Sequence, residues 1–189
     1  MRKLLIVLFL LSSLVSTGQN NYVLTLEEEM LLDSLKSEMN DLSDNSLGIE
    51  LSYSGYEAGN EEKWYYNQEG IIQAYHSSWS MEGTSGEEFD WFENGKLKVV
   101  YAETYGQSEE PAFEFITDKD GAELLLHQAE ISGREAKLYR FIEEHQEQIS
   151  DAGDSYLITV EEVGNFGVDV TITTQIIIDK ELFNRQIKR

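Results

Sequence analysis

Cysteine is absent from the 189 residues and proline occurs once, at Pro111. Without thiols there is no disulfide framework, no thiolate zinc site and no cysteine nucleophile, so the fold must rest on burial alone. Histidine is nearly as scarce. His76, His127 and His145 lie far apart, and none has a second ligand at metal-binding spacing. Positive charge is the third shortage, with 14 lysines and arginines against 36 aspartates and glutamates and a formal net charge of −22. Nucleic-acid binding needs clustered cations, and anionic lipid repels such a surface, so neither is expected as a partner. A Gly-x-Ser-x-Gly elbow, a His-Glu-x-x-His pair and a phosphate-cradling glycine loop are missing as well.

Long apolar runs are missing too, apart from one near the start. Arg2 and Lys3 precede the unbroken apolar stretch Leu4 to Leu11, and Ser12 to Gly18 is small and polar. That order is the n-region, h-region and cleavage site of a secretory signal peptide, with the cut expected between Gly18 and Gln19. Extended to Val15 the run has only twelve residues, too few to span about 30 Å of hydrocarbon. No cysteine follows it for a lipid anchor. The expected product is a bacterial periplasmic or secreted domain over residues 19–189, without a membrane span. Loss of Arg2 and Lys3 leaves 12 basic residues and a net charge of −24.

What the chain has in quantity is aromatic residues, and they are gathered. Of 20 in the mature chain, 14 lie between Tyr53 and Phe115. They fall on an apparent duplication, in which 63–75 (KWYYNQEGIIQAY) is answered by 89–101 (FDWFENGKLKVVY). Each copy reads as an aromatic strand, a polar turn closed by glycine and a second apolar strand. Asn94-Gly95 is a strong hairpin signal because both turn positions require positive φ.

Around this centre the remaining elements follow from capping and periodicity. Thr25 and Glu28 form a capping box for a helix from Leu26 to about Leu42, with Leu31, Leu32, Leu35, Met39 and Leu42 at helical spacing. Gly48–Ser54 alternates as a strand, while Gly55–Glu62 and Met81–Glu88 read as a loop and a turn. Leu97–Tyr105 reads as a strand with Leu97, Val99, Tyr101 and Tyr105 on one face. Phe113–Gly121 reads as the start of a third, degenerate hairpin, and residues 122–131 either pair back as a strand or open a helix. Ser132 and Glu135 suggest a second capping box, for a helix from Gly133 to about Ile149. A terminal hairpin turns at Gly164–Gly167, its strands carrying Tyr156, Ile158, Val160, Val168, Val170, Ile172, Ile176 and Ile178. The expected fold is α+β: a mostly antiparallel meander sheet of six to eight strands with two helices packed on one face.

Candidate chemistry is sparse. Asp118-Lys-Asp-Gly121 fails as a calcium loop, because the positions that need further acids hold Ile116 and His127. A plain turn is the better reading, with weak calcium binding at another acidic cluster left open. Paired carboxylates say little among 36 acids. No cofactor is implied, and the oligomeric state stays undetermined.

The aromatic strands are more informative, because neighbouring residues point to opposite faces. Either both faces are covered, or one carries an exposed strip drawn from Trp64, Tyr65, Tyr66, Trp79, Trp91, Phe92 and Tyr101. A strip of that kind could grip a protein strand or stack on sugars. The expected function is accordingly non-enzymatic binding of a protein or peptide by the aromatic sheet face. The alternative is a carbohydrate-binding module or glycan-active enzyme stacking sugars on Trp64, Trp79 or Trp91. The cations Lys180, Arg185, Lys188 and Arg189 are expected to lie along the chain's own acidic surface, to fray, or to serve a dimer contact.

Asp90-Trp-Phe-Glu-Asn-Gly-Lys-Leu-Lys98 resembles the Tyr-Tyr-x-Asn-Gly-Lys-Leu hairpin unit of bacterial MORN-type repeat proteins, and Tyr65-Tyr66-Asn67 with Gly70-Ile71 is similar to it more loosely. The chain also resembles uncharacterised exported bacterial domains that set such hairpins in a curved antiparallel sheet, some with β-lactamase-inhibitor-like folds. The resemblance implies a recognition scaffold and carries over no catalytic residues.

Overall fold

The structure, a computed structural model, describes residues 24–55, 58–106, 112–165 and 169–187. The proposed signal peptide, Pro111, most of the Gly164–Gly167 turn, Lys188 and Arg189 lie outside them. Within them the chain is α+β and builds one antiparallel sheet of nine strands with three helices. Sequence patterning undercounts both, at six to eight strands and two helices.

Helix α1 (Leu26–Asn45) starts where its capping box predicts, with the Thr25 amide donating to Glu28 Oε2 at 2.8 Å and the Glu28 amide to Thr25 Oγ1 at 3.3 Å. Six strands follow as a meander: β1 (Leu47–Gly55), β2 (Ala58–Tyr66), β3 (Ile72–Met81), β4 (Thr84–Glu93), β5 (Lys96–Tyr105) and β6 (Ala112–Ile116). Helix α2 (Gly121–Glu144) leads to β7 (Ile149–Ala152), β8 (Ser155–Asn165), β9 (Asp169–Asp179) and a short α3 (Lys180–Gln186). The strand order is β6-β5-β4-β3-β2-β1-β9-β8-β7, so β9 pairs with β1 and joins two meanders into one sheet.

Several expectations change. The glycine- and acid-rich stretch read as a loop over Gly55–Glu62 is strand from Ala58 onward, because β1 and β3 ladder it on both sides. The turn assigned to Met81–Glu88 is confined to its first residues, where Glu82 (φ 42°) and Gly83 (φ 82°) make the reversal. Asn94 (φ 53°) and Gly95 (φ 75°) take the predicted left-handed pair. No third hairpin forms, since β6 runs into a 3-10 turn at Asp118–Asp120 and then into α2. Residues 122–131 are helix, and α2 begins twelve residues before Gly133.

The duplicated hairpin is real in the backbone and includes a matching irregularity. In the first copy the register skips Gln73 between Tyr65 and Tyr66, and in the second it skips Lys98 between Trp91 and Phe92. Each is a β-bulge, which adds one residue to a strand and shifts its alternation. Leu97 therefore shares a face with Val100, while Val99 and Tyr101 point the other way. The placement of Leu97, Val99 and Tyr101 on one face is corrected by that single inserted residue.

The helices sit on opposite faces of the sheet, correcting their expected placement on one. Leu32 and Met39 of α1 pack with Ala74, Phe89, Trp91, Val99 and Tyr101. Leu124, Ile131, Leu138 and Ile142 of α2, with Leu182 and Phe183 of α3, pack on the other face against Ile49, Trp64, Tyr75, Val100, Ile176 and Ile178. A row of registered neighbours crosses that second face from β9 to β6: Ile178, Ile49, Trp64, Tyr75, Asp90, Val100, Ile116. All seven are at most 3% exposed, and each large apolar member contributes on the order of 1.5–3 kcal/mol by leaving water. Asp90 is the one acidic residue in the row.

Cover on the α1 face is incomplete. The helix packs over the β2–β6 half, where Tyr65, Phe113 and Phe115 also meet it. On β8 and β9 the same face presents Thr159, Glu161, Val163, Gln175 and Ile177 to solvent. Among the described residues no helix is long and apolar enough to cross a membrane.

Candidate functional site

Alternation distributes the seven aromatic candidates over both faces. Trp64 and Tyr66 are buried under α2, and Trp91 and Tyr101 under α1. Tyr65 is half-buried against the α1 core and Phe92 against the α2 core. Three of the buried rings have polar partners. The Tyr66 hydroxyl donates to Glu135 Oε1 at 2.6 Å, the Trp91 Nε1–H to the Leu35 carbonyl at 3.2 Å and the Tyr101 hydroxyl to Glu103 Oε2 at 2.7 Å. Burial, helped by Tyr139 and Glu135, lifts the Tyr66 hydroxyl well above the usual tyrosine pKa. These rings hold helices to the sheet. Trp79 is the one candidate at the far end of the sheet, where neither helix core reaches.

There the hairpin ends leave a groove of about 490 Å³, lined by Ser52, Ser54, Glu61, Ser78, Ser85 and Glu87 among others. Ser80 and Gly59 complete the floor and Tyr105 supplies a ring, while Tyr53 and Trp79, one residue out of step with the serines, turn their rings to the opposite face. The Trp79 ring lies so close over Gly86 that a Cβ there would sit 2.2 Å from its Cζ2. Only glycine lets the ring lie down. A smaller hollow of about 140 Å³ shares Ser52 and Glu61 with the groove and continues to Gln175 and Ile177. Together they run across six strands, from β5 to β9, about 24 Å at ~4.8 Å per strand. An extended peptide of about seven residues has that length.

The groove is acidic. Glu87 is registered opposite Glu103, and the Tyr105 hydroxyl is raised above its usual pKa by desolvation, then by Glu103 and Glu87. Lys63 is engaged with Glu50 at 3.4 Å. His76 stacks on Phe89 at 4.4 Å, and burial, then Lys63, hold its pKa below the usual histidine range against the opposing pull of Glu61, which disfavours the protonated ring.

Behind the groove a polar network runs under α2. Asn60 Nδ2 donates to Glu62 Oε1 at 2.8 Å, the Tyr75 hydroxyl donates to Glu62 Oε2 at 3.0 Å, and Arg134 Nη1 donates to the Tyr75 oxygen at 2.7 Å. Arg134 also lies 3.9 Å from Glu88. Burial opposes its charge, but Tyr75, Glu88 and Glu62 keep it protonated above the ordinary arginine range. Asp90, fully buried beside it, has no hydrogen-bond partner for either oxygen. Burial and then Glu88 push its carboxyl well above the usual range, so it favours the neutral form.

Among the described residues no three His, Asp or Glu side chains are arranged to hold a metal ion. His145 caps its own helix region, stacked on Phe141 at 4.1 Å with Nδ1 2.8 Å from the Phe141 carbonyl oxygen. Lys180 pairs with Asp151 at 2.8 Å and Arg185 with Glu181.

Sequence reasoning concentrated on aromatics and passed over the serines of β1, β3 and β4. Their signal was available: Ser52/Ser54, Ser78/Ser80 and Ser85 recur with the strand period of two, at the ends of strands whose other ends are apolar. Comparison of the chain with protein-family models, curated proteins and solved structures finds no match.

Proposed function

We propose that this is an exported, non-catalytic binding module whose groove holds an extended protein segment carrying lysine or arginine. The observation that carries the reading is the groove itself: a trough open to solvent across six strands, with serine hydroxyls on its floor and carboxylates along it. Hydroxyls satisfy a peptide backbone without demanding a particular sequence, and Glu61 and Glu87 favour cationic side chains over anionic ones. Tyr105, registered opposite Ser85, offers a ring face to the same cations.

Titration of the purified protein with a lysine-containing heptapeptide, followed by calorimetry at low and high salt, tests the proposal. Saturable binding that weakens with salt and drops several-fold in Glu61→Gln/Glu87→Gln is the expected result. Equal binding of an aspartate-containing heptapeptide would sink it. The Trp79 ring, lying over Gly86 beyond the reach of either helix core, also favours a second reading, a glycan laid on that ring. In that case oligosaccharides, and not the peptides, shift the Trp79 fluorescence. The export half of the proposal rests on the n-, h- and c-region order of residues 1–18, and mass spectrometry of the secreted product should find Gln19 as its first residue.

A further inference from the structure

The two margins of the sheet are treated differently. At one margin β6 pairs with β5 from Val100 to Thr104, and α2 guards the next stretch. Gln128 Oε1 accepts the Leu97 amide at 3.3 Å and its Nε2 donates to the Gly95 carbonyl at 3.1 Å. At the other margin β7 pairs only with Ser155–Ile158 of β8. The strand continues for seven more residues, Thr159 to Asn165, laddered to β9 without a register shift. Among the described residues nothing pairs with the outer side of that stretch.

An antiparallel strand turns the N–H and C=O of every second residue outward, so this stretch offers a ready ladder. Proteins commonly blunt such an edge with lysine, proline, a bulge or a covering element. Thr159–Asn165 has no lysine, no proline and no bulge. It has Glu161 and Glu162, both exposed and, as neighbours, on opposite faces. Those two charges decide the occupant. A second copy pairing β8 with β8 would bring Glu161 and Glu162 against their own counterparts, and like charges across a ladder repel. A segment with cations at those positions is attracted on both faces. Val163, 67% exposed, and the exposed Thr159 supply β-branched contacts on either side of the acidic pair.

We infer that Thr159–Asn165 is a β-augmentation site, which accepts as a tenth strand an extended segment of another protein with two adjacent basic residues flanked by β-branched ones. The site is separate from the groove and does not depend on it. Main-chain hydrogen bonds supply affinity and the basic pair supplies selection.

The test uses the octapeptide Val-Thr-Val-Lys-Arg-Thr-Val-Thr with the isotopically labelled protein, read by amide hydrogen exchange. Alternate amides between Thr159 and Asn165 are expected to exchange at least tenfold more slowly when the peptide is present. Glu161→Lys/Glu162→Lys, both at exposed positions, is expected to lose this protection and to regain it with a peptide carrying Glu-Asp in place of Lys-Arg. A circular-dichroism spectrum identical to that of the parent protein checks that this variant is folded. Protection on Ser52, Glu61 and Ser78 in place of β8 would overturn the inference. So would protection unaffected by the charge reversal, and so would protection that appears without peptide and grows with protein concentration.

Discussion

Asp90 shows how much a single position depends on what lies over it. Alternation alone puts it opposite Phe89 and Trp91, and a sheet with one wet face would leave it in water. Helix α2 closes that face, and both carboxylate oxygens end buried without a hydrogen-bond partner. Glu88, Arg134 and Glu130 are the charges that act on it. Its folded pKa lies above its unfolded value of about 3.9. The neutral form's contribution to stability is therefore complete below that value and is lost as pH rises through the folded pKa. Asp90→Asn removes the ionisation while keeping the shape. In urea titrations the variant's midpoint relative to the parent should rise from pH 5 to pH 8, and a difference constant with pH would refute the assignment. The buried aromatics belong to the same scale. Their identity was readable in the sequence, but whether a ring faced solvent depended on elements far away in the chain.

At the scale of elements, capping was a good guide to one helix and a misleading one to the other. Thr25 and Glu28 mark the start of α1, where Thr25 itself is extended (φ −71°, ψ 160°) and its side chain accepts from the Glu28 amide. Ser132-Gly-Arg-Glu135 carries the same letters, yet it lies in the middle of α2, where apolar contacts from Leu124 to Ile142 hold the helix continuous. Gly133 thus sits in a helix interior, and a Cβ built there meets nothing within 4 Å. Gly133→Ala should stabilise the protein by about 0.5–1 kcal/mol, since alanine loses less backbone freedom in a helix. A thermal midpoint that falls would show that the glycine has a packing role. The strands were read well where β-branched or aromatic residues dominate. They were missed at Ala58–Glu62, where pairing on both sides overrides weak propensity. The bulges at Gln73 and Lys98 had no sequence signal, because an inserted residue is defined only by the strand opposite it.

For the molecule as a whole, composition gave its charge and its lack of cross-links but not its layering. Two helices separated by six strands could share a face or take one each. The choice depends on which faces of β2–β6 are apolar, and the bulges reset that pattern. The resulting body carries a formal charge of −22 over 189 residues, with few cations to offset it. Self-repulsion of this kind is screened by salt, the Debye length falling from ~30 Å at 0.01 M to ~3 Å at 1 M. The urea midpoint should therefore climb as sodium chloride is raised through that range at pH 7. A midpoint that fell would mean that attractive surface pairs such as Lys63–Glu50 outweigh the repulsion.

The seam between β1 and β9 sets a condition on how this molecule can be made. Its two sides are far apart along the chain, as the bond from the Gly48 amide to the Asp179 carboxylate shows by joining residues 131 positions apart. A chain made from its N-terminus delivers β1 early and β9 late, so the first meander waits with a raw central margin until its distant mate arrives. Delay or proteolytic clipping before that moment would strand a half-sheet in search of any passing strand, which makes the wait for β9 the point of greatest need for a chaperone.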